Sequence, residues 1–194
     1  MGLNSEIISA FGSTYASEQV TSAINVKDAK QLSVQFVYAD LTPEADTFTA
    51  AVTDICTAAA HGMVTGLKVR LTTAGTLPAG LSLSTDYFVI RLGVNTFSLA
   101  SSLANALAGT VVNITDTGTG VHTITAEAVS TATAALQISN NGSTWETVGT
   151  ATDITSDGNV LIQDDSNYAF VRLKLSVASG QFSLSSAMCI KYEI

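Results

Sequence analysis

Charged residues are scarce in this chain. Lys, Arg, Asp and Glu make up 12% of its 194 residues, against roughly 25% in an average soluble domain. Eight of them are basic and sixteen acidic, so the net charge is −8, and the basic residues are scattered along the chain. Because nucleic-acid affinity comes mostly from clustered Lys and Arg that neutralise phosphates, the composition argues against direct binding to DNA or RNA.

Long apolar runs are also missing. No stretch approaches the roughly 18 consecutive apolar residues of a membrane span, so no membrane insertion is expected. The start of the chain, MGLNSEIISAFGS, lacks the basic residues and the apolar core of a signal peptide. These two absences predict a protein that is made and kept in a cytoplasm-like compartment.

Cysteine is limited to Cys56 and Cys189, which fall in different predicted domains and do not form a metal-binding pair. A chain kept in a reducing compartment rarely forms disulfides. We therefore expect two free thiols, with a disulfide as the minority alternative.

Apolar and small neutral residues take the place of charge. Hydrophobic residues, Ala included, reach 46%, and Thr, Ser, Asn and Gly dominate the remainder. A surface of small neutral groups loses little free energy of hydration when another protein covers it. This composition favours a homo-oligomer, or repeated docking on other subunits, although an ordinary Thr-rich β-sandwich has the same composition.

Strand-like alternation runs through both ends of the chain. Large side chains alternate with polar ones from Leu32 to Tyr38, and the same period returns over residues 171–177 and 182–194. Turns rich in Gly, Asn and Asp separate these runs. The pattern predicts an all-β fold, an antiparallel, jelly-roll-like β-sandwich.

A self-contained segment interrupts this sandwich between His61 and Thr125. It carries its own Gly-rich turns and several short strand-like runs, so it could bury a small core without its flanks. One helical run, Ser101 to Leu107, is closed by Gly109. The segment is therefore predicted to be a small antiparallel β domain that contains one short helix.

The domain boundaries follow from the breaks in the pattern on either side of this segment. A proline-containing break ends the strand before it, because proline cannot donate to a β-ladder. We predict a discontinuous sandwich domain, residues 1–43 plus 129–194, and an inserted domain, residues 44–128. The flanking strands, which end near Tyr38 and begin near Thr133, are expected to be neighbours in one sheet.

No catalytic arrangement is visible in the sequence. His61 and His122 lie beside glycine turns, without further ligands at the spacing that zinc requires, so packing or turn roles are expected. A nucleophile in an activated context and a phosphate-binding loop are also missing. The sequence therefore predicts that the protein is not an enzyme and has no cofactor and no metal ion.

Loop aspartates near the end of the chain are the remaining candidates for a metal. Asp153, Asp157, Asp164 and Asp165 could converge on calcium, but their spacing does not match the calcium loop that has a firm sequence rule. Ordinary turn chemistry is the favoured interpretation of these residues.

One hairpin loop is the best candidate for a contact with a ligand or partner. Asn140 and Asn141 precede Gly142 and suit the left-handed conformations of a hairpin loop, and Trp145 follows. Trp145 could stack on a sugar at the tip of the hairpin, or it could be the largest piece of the sandwich core. Asn140, Asn141 and Trp145 are therefore candidates for weak contacts to a glycan or a protein partner, and the core alternative stays open.

With these motifs in view, the chain resembles structural proteins of bacteriophage particles. The inserted segment is similar to a module of phage tail and capsid-associated proteins with the pattern His-Gly-Leu-x-Thr-Gly, Leu-Pro-x-Gly-Leu, Tyr-Tyr-Val-Ile, Asn-Thr-Phe-x-Leu-Ala and Gly-Thr-Gly-x-His-Thr. The matching segments are His61–Gly66, Leu77–Leu81, Tyr87–Ile90, Asn95–Ala100 and Gly118–Thr123. The mild departures from the pattern are Met63 and Phe88. Outside the insert, Leu136–Trp145 and Phe170–Leu173 are similar to sandwich domains of such virion proteins.

The resemblance implies a non-enzymatic structural protein of the virion, made in the bacterial cytoplasm. It would dock on other virion proteins, namely capsid, neck or tail subunits, and project its inserted domain. A capsid decoration or head-fibre role comes first, and a neck or tail accessory role second. The alternative is a glycan-binding module that contacts the host cell surface.

Overall fold

The chain forms two compact units. The computed structural model describes residues 3–40, 42–128, 132–153, 157–164 and 168–193. The sandwich unit consists of Met1–Asp40, Ser130–Ala178 and Phe182–Ile194, and the barrel unit consists of Leu41–Val129 and Ser179–Gln181. The inserted domain predicted at 44–128 falls within the first segment of the barrel unit. The second segment has no counterpart in the prediction from the sequence.

The described residues form strands and one short helix. In chain order they are β1 (Leu3–Tyr15), β2 (Gln19–Val20), β3 (Ile24–Asn25), β4 (Ala29–Asp40), β5 (Asp46–Ala50), β6 (Cys56–Thr57), β7 (Lys68–Thr73), β8 (Tyr87–Arg91), β9 (Thr96–Ala100), α1 (Leu103–Ala108), β10 (His122–Ala126), β11 (Ala132–Ser139), β12 (Glu146–Thr147), β13 (Thr152–Asp153), β14 (Gly158–Asp164), β15 (Phe170–Val177) and β16 (Phe182–Glu193).

Two antiparallel sheets make up the sandwich unit. The first has the order β1-β16-β4-β14, and the second has the order β12-β11-β15-β2. In the second sheet β13 continues the line of β12 along β11, and β3 continues the line of β2 along β15. If β2 with β3, and β12 with β13, are each counted as one interrupted strand, the described part of the sandwich unit has eight strands. In this count the first sheet has the order one, eight, three, six, and the second sheet has the order five, four, seven, two. This is the strand order of a jelly roll.

Alternation along the strands buries one face of each sheet. Leu32, Val34 and Phe36 of β4 are buried in the first sheet, and Leu136 of β11 and Leu173 of β15 are buried in the second. Because both buried faces belong to one compact unit, they pack against each other as the two layers of a sandwich. The predicted all-β antiparallel sandwich is confirmed.

The strands that flank the insertion are not neighbours, and the expectation from the sequence is wrong on this point. β4 pairs with β14 and β16 in the first sheet, whereas β11 pairs with β12 and β15 in the second. The reason is that alternation shows which face of a strand is buried, but not the sheet to which the strand belongs. Since packed sheets are roughly 10 Å apart, a tight two-residue turn between these strands could not replace the insert.

The barrel unit is a closed antiparallel sheet in the order β10-β5-β6-β9-β8-β7. β10 pairs with both β5 and β7 and thereby closes it. Leu67, Val69, Val89 and Phe97 are buried in this unit. Closure removes the unpaired edges that an open sheet of this size would expose.

The short helix α1 has a clear start and end. The Ser102 hydroxyl accepts a hydrogen bond from the N–H group of Asn105, and Gly109 adopts a left-handed backbone conformation with φ 74°. Both features are common helix-capping arrangements, and the predicted short helix is confirmed. Across the described ranges of the chain, no helix has the length and apolar character needed to span a membrane.

Candidate functional site

The loop between β11 and β12 carries the predicted contact residues. The Ser139 hydroxyl accepts hydrogen bonds from the N–H groups of Asn141 and Gly142, at 3.2 and 2.9 Å. The side-chain oxygen of Asn141 in turn accepts hydrogen bonds from the N–H groups of Ser143 and Thr144, at 2.9 and 2.8 Å. Gly142 has φ 71°, a conformation that glycine adopts without strain. The side-chain oxygen of Asn141 is therefore committed to the fold of the loop.

Trp145 lies beside the outward side of the second sheet. Its side chain is half-buried, and the guanidinium carbon of Arg172 lies 4.2 Å from the centroid of its ring. Arg172 Nε also donates a hydrogen bond to Gln137 Oε1 at 2.8 Å. The cation–π contact covers one face of the indole. Trp145 is therefore not part of the buried core, and the packing alternative does not describe it.

A shallow pocket of about 230 Å³ opens beside this loop. Asn140, Asn141, Glu146 and Tyr168 are among the residues that line it. The lining does not include Trp145, so the structure brings the two asparagines together and leaves the tryptophan outside. Amide, carboxylate and phenol groups can form hydrogen bonds with a neutral polar ligand such as a sugar. A role of this loop in glycan binding stays a prediction.

His61 is buried in the barrel unit, with protein partners at both ring nitrogens. Its Nδ1 accepts a hydrogen bond from the N–H group of Met63 at 3.1 Å, which requires that Nδ1 carries no proton. The proton is therefore on Nε2, which lies 3.4 Å from the carbonyl oxygen of Thr96. The ring also packs edge to face on Phe97, with 5.3 Å between the ring centroids. These contacts give His61 a packing role in the barrel unit.

His122, at the start of β10, is held in a similar way. Its Nε2 lies 3.2 Å from the carbonyl oxygen of Thr117, and its Nδ1 lies 2.9 Å from the hydroxyl of Thr73. A neutral ring with its proton on Nε2 satisfies both partners. The ring packs on Phe48 with 5.5 Å between the centroids. His122 therefore has a packing role in the barrel unit, as His61 does.

The remaining candidates for metal binding or nucleophilic chemistry are not brought together in the part of the chain that the structure describes. Within the described residues, no group of three or more His, Cys, Asp or Glu side chains is placed to hold a metal ion. Of the loop aspartates, Asp165 lies outside the described residues. Both cysteines are free, as predicted, and burial together with the charge of Asp54 raises the pKa of the Cys56 thiol to about 12. Cys56 is therefore protonated at neutral pH and is a poor nucleophile.

The loops that carry two of the module motifs interlock. Gly80, in the Leu-Pro-x-Gly-Leu motif, lies so close to the carbonyl oxygen of Asn113 that no side chain fits between them. The Asp116 carboxylate accepts hydrogen bonds from the N–H groups of Ala79 and Gly118, at 2.8 and 2.9 Å. These two hydrogen bonds hold the pKa of Asp116 below its ordinary value. These contacts hold the loops of the two motifs together within the barrel unit.

Gln181 is a residue that the sequence did not single out. It follows β15 in the chain but belongs to the barrel unit, and it is 2% exposed. Its side-chain nitrogen donates a hydrogen bond to the carbonyl oxygen of Gly62 at 3.0 Å, and its side-chain oxygen accepts one from the N–H group of Val64 at 2.9 Å. The amide therefore serves both backbone groups as a neighbouring strand would.

The outward side of the first sheet carries almost no charge. We call its register-paired positions up to Lys191 of β16 the neutral face; Glu193, which pairs with Leu3 at the end of β16, lies beyond it. They are Ile7, Ser9, Gly12 and Thr14 of β1, Ser183, Ser185, Ala187, Cys189 and Lys191 of β16, Gln31, Ser33, Gln35, Val37 and Ala39 of β4, and Asn159, Leu161 and Gln163 of β14. Among these described positions Lys191 is the single charged side chain, and it donates a hydrogen bond to Gln31 at 2.9 Å.

Three large apolar side chains are exposed on the neutral face. Ile7 is 75%, Leu161 56% and Val37 47% exposed. The outward side of the second sheet differs, since Lys174 there pairs with Glu18 at 3.0 Å. The sequence carries a signal for this face. In β4, β14 and β16 the positions that alternate with core residues are mostly uncharged.

Comparisons with known proteins give distant matches. No protein-family model matches the chain, and no curated protein matches it. Among solved structures, the chain is similar to the SPBc2 prophage-derived protein YomS at 8% identity and a TM-score of 0.29, over 98% of this chain and 96% of that chain. It is also similar to VP17, a capsid protein of bacteriophage P23-77, at 10% identity and a TM-score of 0.23, over 100% of this chain and 98% of that chain. These structural neighbours are phage proteins, but TM-scores of this size establish neither the fold nor the function.

Proposed function

We propose that the chain is a non-enzymatic structural protein of a bacteriophage particle. Its sandwich unit would dock on other virion proteins, and its barrel unit would be available for further contacts. A capsid decoration or head-fibre subunit is the first assignment, and a neck or tail accessory subunit is the second. The protein would reside in the virion after its synthesis in the bacterial cytoplasm.

The observation that supports this proposal is a motif-bearing barrel inserted into a jelly roll. Jelly rolls occur in viral capsid domains but also in lectins and cupins, so the fold by itself is an analogy. The module motifs, from His61–Gly66 to Gly118–Thr123, favour a phage structural role over the lectin and cupin roles. Since their residues form loops and packing contacts, the resemblance concerns a structural module rather than an active site.

The geometry of the histidines supports the non-enzymatic part of the proposal. General acid–base catalysis needs a titratable group within hydrogen-bond reach of the substrate. His61 and His122 are 4% and 3% exposed, and their ring nitrogens are engaged by backbone groups and a threonine hydroxyl. Neither ring is presented to a substrate in this arrangement.

Quantitative mass spectrometry of purified particles tests the proposal. The particles are those of the phage that encodes the chain, and peptides of the chain are expected in them. A copy number comparable to that of the capsid subunit supports the decoration role, and a low copy number set by one symmetric ring supports the neck or tail role. Particles that lack the chain would overturn the proposal.

The alternative function is a glycan-binding module that contacts the host cell surface. The observation that favours it is the half-exposed Trp145 near a pocket lined by Asn140 and Asn141. An indole offers an apolar face with a polar edge, and the nearby amides offer hydrogen bonds. This combination suits a ring that has one apolar side and several hydroxyls.

Replacing Trp145 with alanine is expected to have a small effect on stability. Because the ring is half-buried and stacks on Arg172, the free energy of unfolding should fall by about 1 kcal/mol. A core aromatic costs roughly 3–5 kcal/mol, and Phe36→Ala is the matched control for that case. Urea unfolding followed by circular dichroism measures both variants.

The Trp145→Ala variant also tests the glycan-binding alternative. If the loop binds glycan, folded Trp145→Ala loses binding to host-cell glycans while the wild-type chain retains it. Wild-type protein without glycan binding would exclude the alternative. A loss of stability in Trp145→Ala as large as that in Phe36→Ala would instead show that the indole is a core residue.

A further inference from the structure

We propose that the neutral face is a self-association surface, on which two copies of the chain pack face to face about a two-fold axis. The partner is a second copy of the same sheet, β1-β16-β4-β14. This proposal goes beyond the proposed function and does not depend on it, since it concerns the isolated protein in solution.

Charge is the first reason to assign a second copy. At a net charge of −8, two copies repel each other wherever their acidic side chains meet. The neutral face includes no acidic residue; Lys191 lies at one end of it, and Glu193 of β16 lies beyond that end. The neutral face can therefore be covered by a copy of itself without the burial of an unpaired carboxylate, which is strongly unfavourable.

The arrangement of the side chains is self-complementary. Ser9, Ala187, Gln35 and Leu161 form one row across β1, β16, β4 and β14. A two-fold axis parallel to the strands, between β16 and β4, exchanges the two halves of this row. Ala187 of one copy then faces Gln35 of the other. In the same way Ser9 faces Leu161, so that a small side chain meets a large one.

The exposed apolar side chains also gain partners in this arrangement. Ile7 lies on β1 in the row that ends at Gln163 of β14, so the axis sets each Ile7 against Gln163 and one row from Leu161, about 7 Å along the strand. Val37 pairs with Ser185 in the sheet, and the axis sets Val37 of one copy against Ser185 of the other. Small residues on β16 thus make room for larger ones on β4. Burial of these apolar groups drives the association.

The size of the face suits a stable dimer. Four strands spaced about 4.8 Å apart are roughly 19 Å wide. The 12 residues of β16 extend over about 40 Å. The face thus offers up to roughly 750 Å² per copy, close to the roughly 800 Å² that each partner contributes to an interface of standard size.

Sedimentation equilibrium of the full chain tests this proposal. The wild-type protein is expected to dimerise reversibly. Ala187→Glu places a carboxylate near the axis and is expected to raise the dimer dissociation constant by about tenfold or more, because a buried, unpaired charge is unfavourable. Ala187→Ser stays small and neutral and is expected to dimerise as the wild type does. Thr147→Glu adds the same charge at an exposed position of the second sheet and is also expected to dimerise normally.

Two further variants keep the test independent of one substitution. Gln35→Lys is expected to weaken the dimer by itself, and Gln35→Lys combined with Ala187→Glu is expected to recover affinity, because opposite charges then face each other across the axis. Thermal unfolding by circular dichroism confirms that each variant is folded. A wild-type protein that stays monomeric at its highest soluble concentration overturns the proposal, and so does a folded Ala187→Glu that dimerises as tightly as the wild type. The presence of the chain in phage particles bears on the proposed function alone.

Discussion

Replacing Gly80 with alanine is expected to destabilise the barrel unit by about 4 kcal/mol. Gly80 has φ 101°, a conformation in which alanine is strained by about 1–3 kcal/mol. An added Cβ would also collide with the carbonyl oxygen of Asn113, a backbone atom that cannot rotate away, and overpacking of this kind costs about 1–3 kcal/mol. Since native domains are stable by only about 5–15 kcal/mol, the substitution removes a large share of the stability of the barrel.

Native-state hydrogen exchange of the amides in β7, β8 and β9 measures this change within the barrel unit. Gly62→Ala is the matched control, because Gly62 also has a positive φ, 63°, but a Cβ there would meet nothing within 4 Å. The control is expected to cost about 1 kcal/mol through its backbone conformation. Equal effects of the two substitutions would show that the close approach to Asn113 does not matter for stability.

Replacing Gln181 with alanine is expected to destabilise the barrel unit by about 2 kcal/mol. The substitution removes the partner of the Gly62 carbonyl and of the Val64 N–H group, while Gln181 itself is 2% exposed. Each intramolecular hydrogen bond contributes about 0.5–1.5 kcal/mol, and two partly buried ones are lost. The same hydrogen-exchange measurement, now applied to the amide of Val64 and to β7–β9, detects the loss.

Thr72→Ala is the control for this prediction. Thr72 is an exposed residue of β7 in the barrel unit, and surface substitutions away from special features usually change stability by less than about 0.5 kcal/mol. A small effect is therefore expected there. If Gln181→Ala changed stability as little as Thr72→Ala, water would be shown to replace the glutamine amide without loss.

The fold class was predictable because it depends on a local and repeated signal. Alternation of large and polar residues in β4 and β15 shows strands with one buried face, and the turns between strands are rich in Gly, Asn and Asp. The assignment of strands to sheets was not predictable in the same way. β4 alternates between buried and accessible residues, whereas β11 buries Ala134, Ala135 and Leu136 in succession. Neither pattern shows which sheet a strand joins, and pairing over long sequence separations places the two strands in different layers.

The candidate site was predictable in part, and for similar reasons. The loop chemistry of Asn141 and Gly142 is local, and the structure shows it. The environment of Trp145 depends on Arg172 of β15, and the sequence does not show that these two residues are in contact. The neutral face is likewise a property of four strands that are brought together by folding, although each strand shows its own lack of charge.

Gln181 also limits the transfer of the barrel unit into another protein. A graft of residues 42–128 into another scaffold would carry every module motif but would omit Ser179–Gln181, the second segment of the unit. In such a graft the Gly62 carbonyl and the Val64 N–H group would lack the protein partner that Gln181 supplies. A recipient scaffold therefore has to present an amide at the same place, or a separate peptide that contains Gln181 has to be added in trans, as in split-protein complementation.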